Sequence, residues 1–290
     1  MKLRRSMLFM PGNNPGMLQT ADVFGADAVI FDLEDAVALT EKDAARILIK
    51  NAMETISYGD TEVVIRINPL SSPFAMNDID IMARLKPNAI LLPKATPEDM
   101  AILDKELERI EKEEGMEVGT IKIHALVETA YGVETVYETI KSTKRCIAIL
   151  LGGEDLAADY GVKRTKPSDE LFYARTKIVN ACKALKVDAI DTPFTDTNDY
   201  EGLRADTNKA KMLGFTGKLA INPRQIDTIH DVYAPTQAEI NHALRVMAAK
   251  ENAEKEGLGV FSLDGKMVDL PIINRAIQTL EVAKLIGLLD

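Results

Sequence analysis

Short runs of apolar residues recur along the chain, each followed by a longer stretch with apolar positions at helical spacing. The runs occupy residues 6–10, 28–33, 63–68, 89–94, 122–128, 147–152, 189–194 and 218–222. Their apolar character is continuous rather than alternating, as strands buried on both faces of a parallel sheet require. The stretches between them read as helices. Residues 97–114, for example, place Met100, Leu103, Leu107 and Ile110 on one face. Eight β-then-α units predict an α/β fold of the (β/α)8 TIM-barrel type. A doubly wound open sheet is the competing arrangement, but no Gly-x-Gly-x-x-Gly follows the first run.

The pattern completes a barrel domain over residues 1–235 and leaves 236–290 as a C-terminal helical extension. A helix is expected over 236–256, where Thr236 and Glu239 have capping-box spacing, with a stop at Gly257-Leu258-Gly259. A polar turn, Ser262-Leu263-Asp264-Gly265-Lys266, precedes a last helix that starts near Pro271. The sequence shows no internal repeat and no low-complexity linker.

Composition narrows the function classes. The 290 residues are 46% hydrophobic and 28% charged, which is ordinary for a globular chain. A net charge of −10 and a pI near 5.0 argue against nucleic-acid or anionic-membrane binding, both of which depend on basic patches. The only cysteines are Cys146 and Cys182, too few for a disulfide framework or a four-cysteine metal site. Cys146 lies in an apolar run and reads as an inert core thiol. The basic start, Met1-Lys2-Leu3-Arg4-Arg5, meets Pro11-Gly12 before an apolar signal region develops. No run approaches the ~20 apolar residues that span a bilayer. A cytoplasmic protein is therefore expected.

Barrel active sites form at the C-terminal ends of the strands, so the residues closing each run carry the candidate chemistry. Those ends are polar almost throughout: Asp32-Leu33-Glu34-Asp35, Arg66-Ile67-Asn68, Pro93-Lys94, Glu128, Gly152-Gly153-Glu154-Asp155, Asp191-Thr192 and Asn222-Pro223. Charges there are costly unless paired or metal-bound. Glu128 and Asp155 close adjacent strands, which lie about 4.8 Å apart, so their oxygens can reach one ion. Oxygen ligands without a His-x-His pair favour Mg²⁺, with Mn²⁺ possible, over zinc. The alternatives are an N-cap role for Asp155 and an ion pair for Glu128. Arg66 is suited to a two-pronged carboxylate contact, or to an ion pair with Glu34 or Asp35. Lys94 reads either as a cation supporting the acidic cluster or as a Schiff-base lysine with a lowered pKa.

The motifs Ser6-Met7-Leu8-Phe9-Met10-Pro11-Gly12-Asn13, Phe31-Asp32-Leu33-Glu34-Asp35-Ala36, Arg66-Ile67-Asn68 and Leu92-Pro93-Lys94 resemble one family. So do Val127-Glu128-Thr129-Ala130, Leu151-Gly152-Gly153-Glu154-Asp155 and Ile221-Asn222-Pro223-Arg224-Gln225. In order and spacing they are similar to the citrate lyase β-subunit and malyl-CoA lyase group of barrel aldolases, from about Arg4 to Ala276. The openings Asn13-Asn14-Pro15-Gly16 and Tyr58-Gly59-Asp60-Thr61-Glu62, with the ending Gly257-Leu258-Gly259-Val260, resemble the citrate lyase β side most. One departure is Thr129 and Tyr131, where members of the group commonly carry Ser and Gln.

The resemblance implies that Glu128 and Asp155 hold Mg²⁺ and that Glu128 and Arg66 contact substrate. It also implies that residues 265–269 form part of a lid over the site, with Asp269 in acid/base work. Capping of the last helix is the other reading of Asp269. The implied reaction is a retro-Claisen cleavage of a citryl thioester to oxaloacetate and an acetyl thioester. Glu34 and Asp35 would then steady Arg66 or ordered waters from behind. For proton transfer, Asp269, Asp32 and a water on the metal all qualify. The implied partners are an acyl-carrier-protein subunit and an acetyl/citrate transferase subunit. A lid shared between subunits predicts a homo-oligomer, trimer or hexamer. Rival readings are a lyase or synthase acting on malyl-CoA or a related thioester, and a catalytically silent scaffold that holds an acyl-carrier protein.

Overall fold

In the computed structural model, which describes residues 2–255 and 261–289, the eight apolar runs are eight parallel strands closed into a barrel. They are β1 (Ser6–Pro11), β2 (Ala28–Asp32), β3 (Glu62–Arg66), β4 (Ala89–Leu92), β5 (Lys122–Val127), β6 (Cys146–Leu151), β7 (Asp188–Asp191) and β8 (Gly217–Ala220). The TIM-barrel expectation is met, and β1 pairs β8 through Met7 opposite Leu219. Because strand side chains alternate, one parity of each strand faces inward. Met7, Ala28, Ile30, Val64, Ala89, Leu91, Leu126, Ala148, Leu150, Ile190 and Leu219 pack together there as the barrel core. The other parity lies under the helices, so neither face tolerates an alternating polar pattern.

Helices α1 (Pro15–Gln19), α2 (Lys42–Thr55), α3 (Ala75–Arg84), α4 (Pro97–Glu113), α5 (Ala130–Glu134) and α6 (Val136–Lys141) follow the first five strands. Helices α7 (Gly153–Asp159), α8 (Phe172–Leu185), α9 (Tyr200–Leu213) and α10 (Ile226–Tyr233) follow the last three. Helix α4 starts at Pro97 because the Thr96 side chain accepts from Asp99 N, and it buries Met100, Leu103, Leu107 and Ile110. The floor of the barrel is polar. Arg4 donates to both oxygens of Glu62 and to Asp188, residues of inward parity, and closes the bottom. Cys146 is buried and its thiol is pushed up to about 12 by desolvation, as an inert core residue should be.

Two compact units make up the chain, the first through His230 and the second from Asp231. In the second, α11 (Gln237–Lys255) and α12 (Leu270–Leu285) pack through Ala243, Val246, Ile273 and Ala276. Thr236 and Glu239 form the expected reciprocal cap, with Glu239 N donating to Thr236 Oγ1 and Thr236 N to Glu239 Oε2. The segment read as a polar turn is a hairpin, β9 (Phe261–Leu263) against β10 (Lys266–Val268). Asp264 and Gly265 both have positive φ there, as a tight Asp-Gly turn requires. The expected helix stop at 257–259 lies outside the described residues. Among the described residues, no helix is long and apolar enough to cross a membrane.

Barrel closure depends on one glycine. A Cβ at Gly217 would stand 1.8 Å from the backbone O of Arg4 and 3.0 Å from that of Arg5. Gly217→Ala should therefore part β8 from β1 and destabilise the first unit by about 1–3 kcal/mol or more. Urea unfolding of the purified variant checks this; a midpoint equal to the parent's would show that closure does not need the close approach.

Candidate active site

The inward parity that builds the core continues one layer beyond it, and there it turns polar. Phe9, Asp32, Arg66, Glu128, Gly152 and Ile221 each lie two residues past an inward core residue of their own strand. They line one cavity of about 380 Å³ at the C-terminal mouth, together with Asp35, Ala36, Leu126, Gly153, Glu154, Asp155, Pro193 and Leu219.

Arg66 is the fixed point of this mouth. It is 8% exposed. Its Nε and Nη2 donate to the two oxygens of Asp32, each at 2.6 Å. Nη1 lies 2.9 Å from Glu34 Oε2 and 3.5 Å from Asp35 Oδ2. The guanidinium also stacks 4.8 Å above the Phe9 ring. Burial works against its charge, but Asp32 and then Glu34 and Asp35 outweigh that and hold its pKa above the ordinary range. The expected pairing with Glu34 and Asp35 is present. The stronger, two-pronged partner is Asp32.

Asp32 is thereby removed as a proton-transfer candidate. Besides Arg66, its oxygens accept from Glu34 N at 2.8 Å and Ala36 N at 3.0 Å, so both oxygens are engaged. These bonds fold the loop that carries Glu34 and Asp35. The same loop is held from behind by Lys42, whose buried ammonium donates to Leu33 O and Glu34 O, each at 2.6 Å. Asn68 Nδ2 donates to Leu33 O and is itself held by Asp78.

Glu128 stands just past β5, 2% exposed. Its Oε1 accepts from Lys94 N at 2.9 Å. A Cβ at Gly152 would come 2.5 Å from its Oε2, so only glycine fits beside it. Desolvation first, and then the charges of Glu34 and Asp155, push its carboxyl up to about 8. Burial likewise raises Glu34, against the pull of Arg66. Lys94 adopts a left-handed backbone, φ 49°, and its Nζ lies 3.3 Å from Glu34 Oε1. Burial disfavours its charge, but Glu34 and Glu128 outweigh it and raise the ammonium pKa. A Schiff-base lysine needs the opposite shift, so the reading of Lys94 as a supporting cation prevails.

Asp155 is partly exposed in the first turn of α7, and the N-cap position is Gly152's, so the capping alternative for Asp155 falls. Glu154 points to Arg164 at 3.0 Å. Among the described residues, no three His, Cys, Asp or Glu side chains converge as a ready metal cluster. The cavity is instead lined by Glu128 and Asp155, while Glu34 enters through its charge on Glu128. Asp269 belongs to the second unit. It is the N-cap residue of α12, yet its side chain makes no capping hydrogen bond.

The structure thus gathers Glu34, Asp35, Arg66, Glu128 and Asp155 at one mouth. Sequence reasoning missed Phe9 beneath the guanidinium, Asp32 as its main partner and Lys42 behind the loop. The first two were within reach, since both share the inward parity of Arg66.

The family described as HpcH/HpaI aldolase/citrate lyase matches residues 5–223. The chain is 45% identical, over 100% of its length and 96% of the relative's, to the citrate lyase subunit beta of Leuconostoc mesenteroides subsp. cremoris. It is 32% identical, over 94% of the chain and 84% of the relative, to the mitochondrial citramalyl-CoA lyase of Mus musculus. Among solved structures, a CitE protein of Mycobacterium tuberculosis in complex with magnesium, acetoacetate and coenzyme A superposes with a TM-score of 0.80 at 28% identity. That superposition covers 97% of this chain and 98% of the other.

The raised Glu128 carboxyl has a thermal signature. A carboxyl whose folded pKa lies above its unfolded value loses native stability as pH rises from that unfolded value to about 8. Glu128→Gln stays neutral throughout. In EDTA, its melting temperature should match the parent's near pH 4, exceed it increasingly up to pH 8, and level off above. A constant offset across that range would show that the carboxylate is not destabilised by its surroundings.

Proposed function

The chain belongs to the HpcH/HpaI aldolase/citrate lyase family and is a carbon–carbon lyase, and we propose that it cleaves a citryl thioester to oxaloacetate and an acetyl thioester. The observation that carries the proposal is the charge balance at the mouth. Five carboxylates, Asp32, Glu34, Asp35, Glu128 and Asp155, outnumber the three cations beside them, Arg66, Lys94 and, behind the loop, Lys42. Burial first, and then the charges of Glu34 and Asp155, push Glu128 up, and a divalent cation would relieve that repulsion. The donors are all oxygen, which suits Mg²⁺, with Mn²⁺ the alternative. Glu128 and Asp155 would hold the ion. Bound there, it would supply positive charge where the substrate oxygens become negative.

The chain's own residues supply the remainder. Arg66, clamped by Asp32 and backed by Phe9, would offer a substrate carboxylate a guanidinium of fixed orientation. Glu34 and Asp35 keep that guanidinium in place, and Lys94 adds a second positive group beside Glu128. In the reaction the tertiary hydroxyl loses its proton and the carbon–carbon bond breaks. Its electrons pass to the α-carbon of the departing acetyl thioester, which then takes a proton. Asp269 is assigned that proton transfer on its resemblance to the group's aspartate. Arg66 and Lys94 also reconcile an anionic substrate with a chain of net charge −10. The expected setting is a cytoplasmic homo-oligomer with an acyl-carrier-protein subunit and an acetyl/citrate transferase subunit.

Turnover of citryl-CoA against malyl-CoA and citramalyl-CoA tests the substrate. Citryl-CoA should be cleaved fastest, and EDTA should abolish turnover until Mg²⁺ is restored. Activity that survives EDTA would remove the metal role. Glu128→Ala should abolish cleavage, and Arg66→Lys, which loses the two-pronged grip, should lower kcat/KM by roughly 10²-fold or more. Faster cleavage of citramalyl-CoA would redirect the substrate to that seen in the name of the mouse relative.

A further inference from the structure

Between the sheet and helices α8 and α9 lies a cluster of four buried charges that the proposed chemistry does not use. Arg175, Asp191 and Lys218 are 0% exposed and Asp206 is 6% exposed. Arg175 grips both oxygens of Asp191, at 2.8 and 2.9 Å, and Asp206 Oδ1 at 2.9 Å. Lys218 Nζ donates to Asp191 Oδ2 and Asp206 Oδ2, each at 2.6 Å. The charges cancel, but desolvating four ions is costly, and apolar packing of similar volume is often as stable. Stability alone does not account for the cluster.

The third donor of Lys218 points elsewhere. Its Nζ donates to the backbone O of Thr192, just past β7, at 2.7 Å. Thr192 is 0% exposed, and its Oγ1 accepts from Gly153 N at 2.9 Å. Gly153 opens α7, two residues before Asp155, and no side-chain cap serves that helix from Gly152. The fit is tight on both sides. A Cβ at Gly153 would meet Thr192 Oγ1 at 2.6 Å, and one at Gly152 would meet Glu128 Oε2 at 2.5 Å. The start of α7 is wedged between Glu128 and Thr192, with the quartet behind Thr192.

We infer that Thr192, its carbonyl clamped by Lys218 within the Arg175–Asp191–Asp206 cluster, is a positioning residue that sets where α7 presents Asp155 to a divalent cation. This rests on the proposed cation site at Glu128 and Asp155. Thr192 is fully buried and does not line the cavity. Its hydroxyl fixes a backbone N–H, and the rigid first turn of α7 carries that constraint to the carboxylate.

The test is Mg²⁺ affinity by calorimetry on the full chain, with melting in EDTA measured alongside. Thr192→Val keeps the shape and removes the acceptor. It should weaken Mg²⁺ binding roughly 10–100-fold, the range for residues that orient metal ligands. Thr192→Ser keeps the hydroxyl and should bind as the parent does. Thr192→Ala carries the test if the valine variant does not fold. Asp155→Asn is the control and should bind Mg²⁺ poorly. Parent-like Mg²⁺ binding by Thr192→Val, with or without a lower melting temperature, overturns the inference while loss in Asp155→Asn preserves the cation site. Parent-like binding by Asp155→Asn overturns the cation site and the inference together.

Discussion

The Arg66–Asp32 pair ties two neighbouring strands at the mouth of the barrel, and the polar arrangement above the core is built outward from it. The pairing is two-pronged and nearly dry, with both oxygens of Asp32 also taking backbone N–H groups from the following loop. One contact therefore orients a guanidinium and folds the loop bearing Glu34 and Asp35. Breaking it would leave a buried charge uncompensated, the costly case for a buried ion pair. Arg66 lines the cavity with its guanidinium plane held in one orientation, which is what recognition of a planar carboxylate asks for.

Around that fixed point the mouth carries more negative than positive charge, and burial together with the charges of Glu34 and Asp155 raises the Glu128 carboxyl. A carboxyl held near neutrality in its pKa is a group poised to exchange a proton for a metal ion. The neighbouring glycines have the same origin. Gly152 and Gly153 are not there for flexibility; side chains at either position would collide with Glu128 or Thr192. Close packing around a charged group thus sets the shape of the turn that carries Asp155.

Much of this was legible from order along the chain. Eight continuous apolar runs with helical stretches between them implied the barrel, since only a sheet covered on both faces favours that pattern. The polar residues closing the runs marked the mouth, because a barrel gathers its strand ends in one place. Arg66, Glu128, Glu34, Asp35 and Asp155 were all found this way. The hairpin at 261–268 was not, since strands of three residues carry too little periodicity to register.

What the sequence by itself determined is therefore local: which segments are strands, which are helices, and which polar residues end each strand. These depend on apolar periodicity and capping chemistry within a few residues. Tertiary structure alone decided the pairings. Arg66 chose Asp32 over Asp35 because Asp32 shares its inward parity on the adjacent strand, opposite it in register. Lys94 kept a raised pKa because Glu34 and Glu128 converge on it from other strands. Lys218, Arg175, Asp191 and Asp206 read as scattered charges until the helices close over β7 and β8. Electrostatic energies depend on distance and burial in space, and neither quantity is written in residue order.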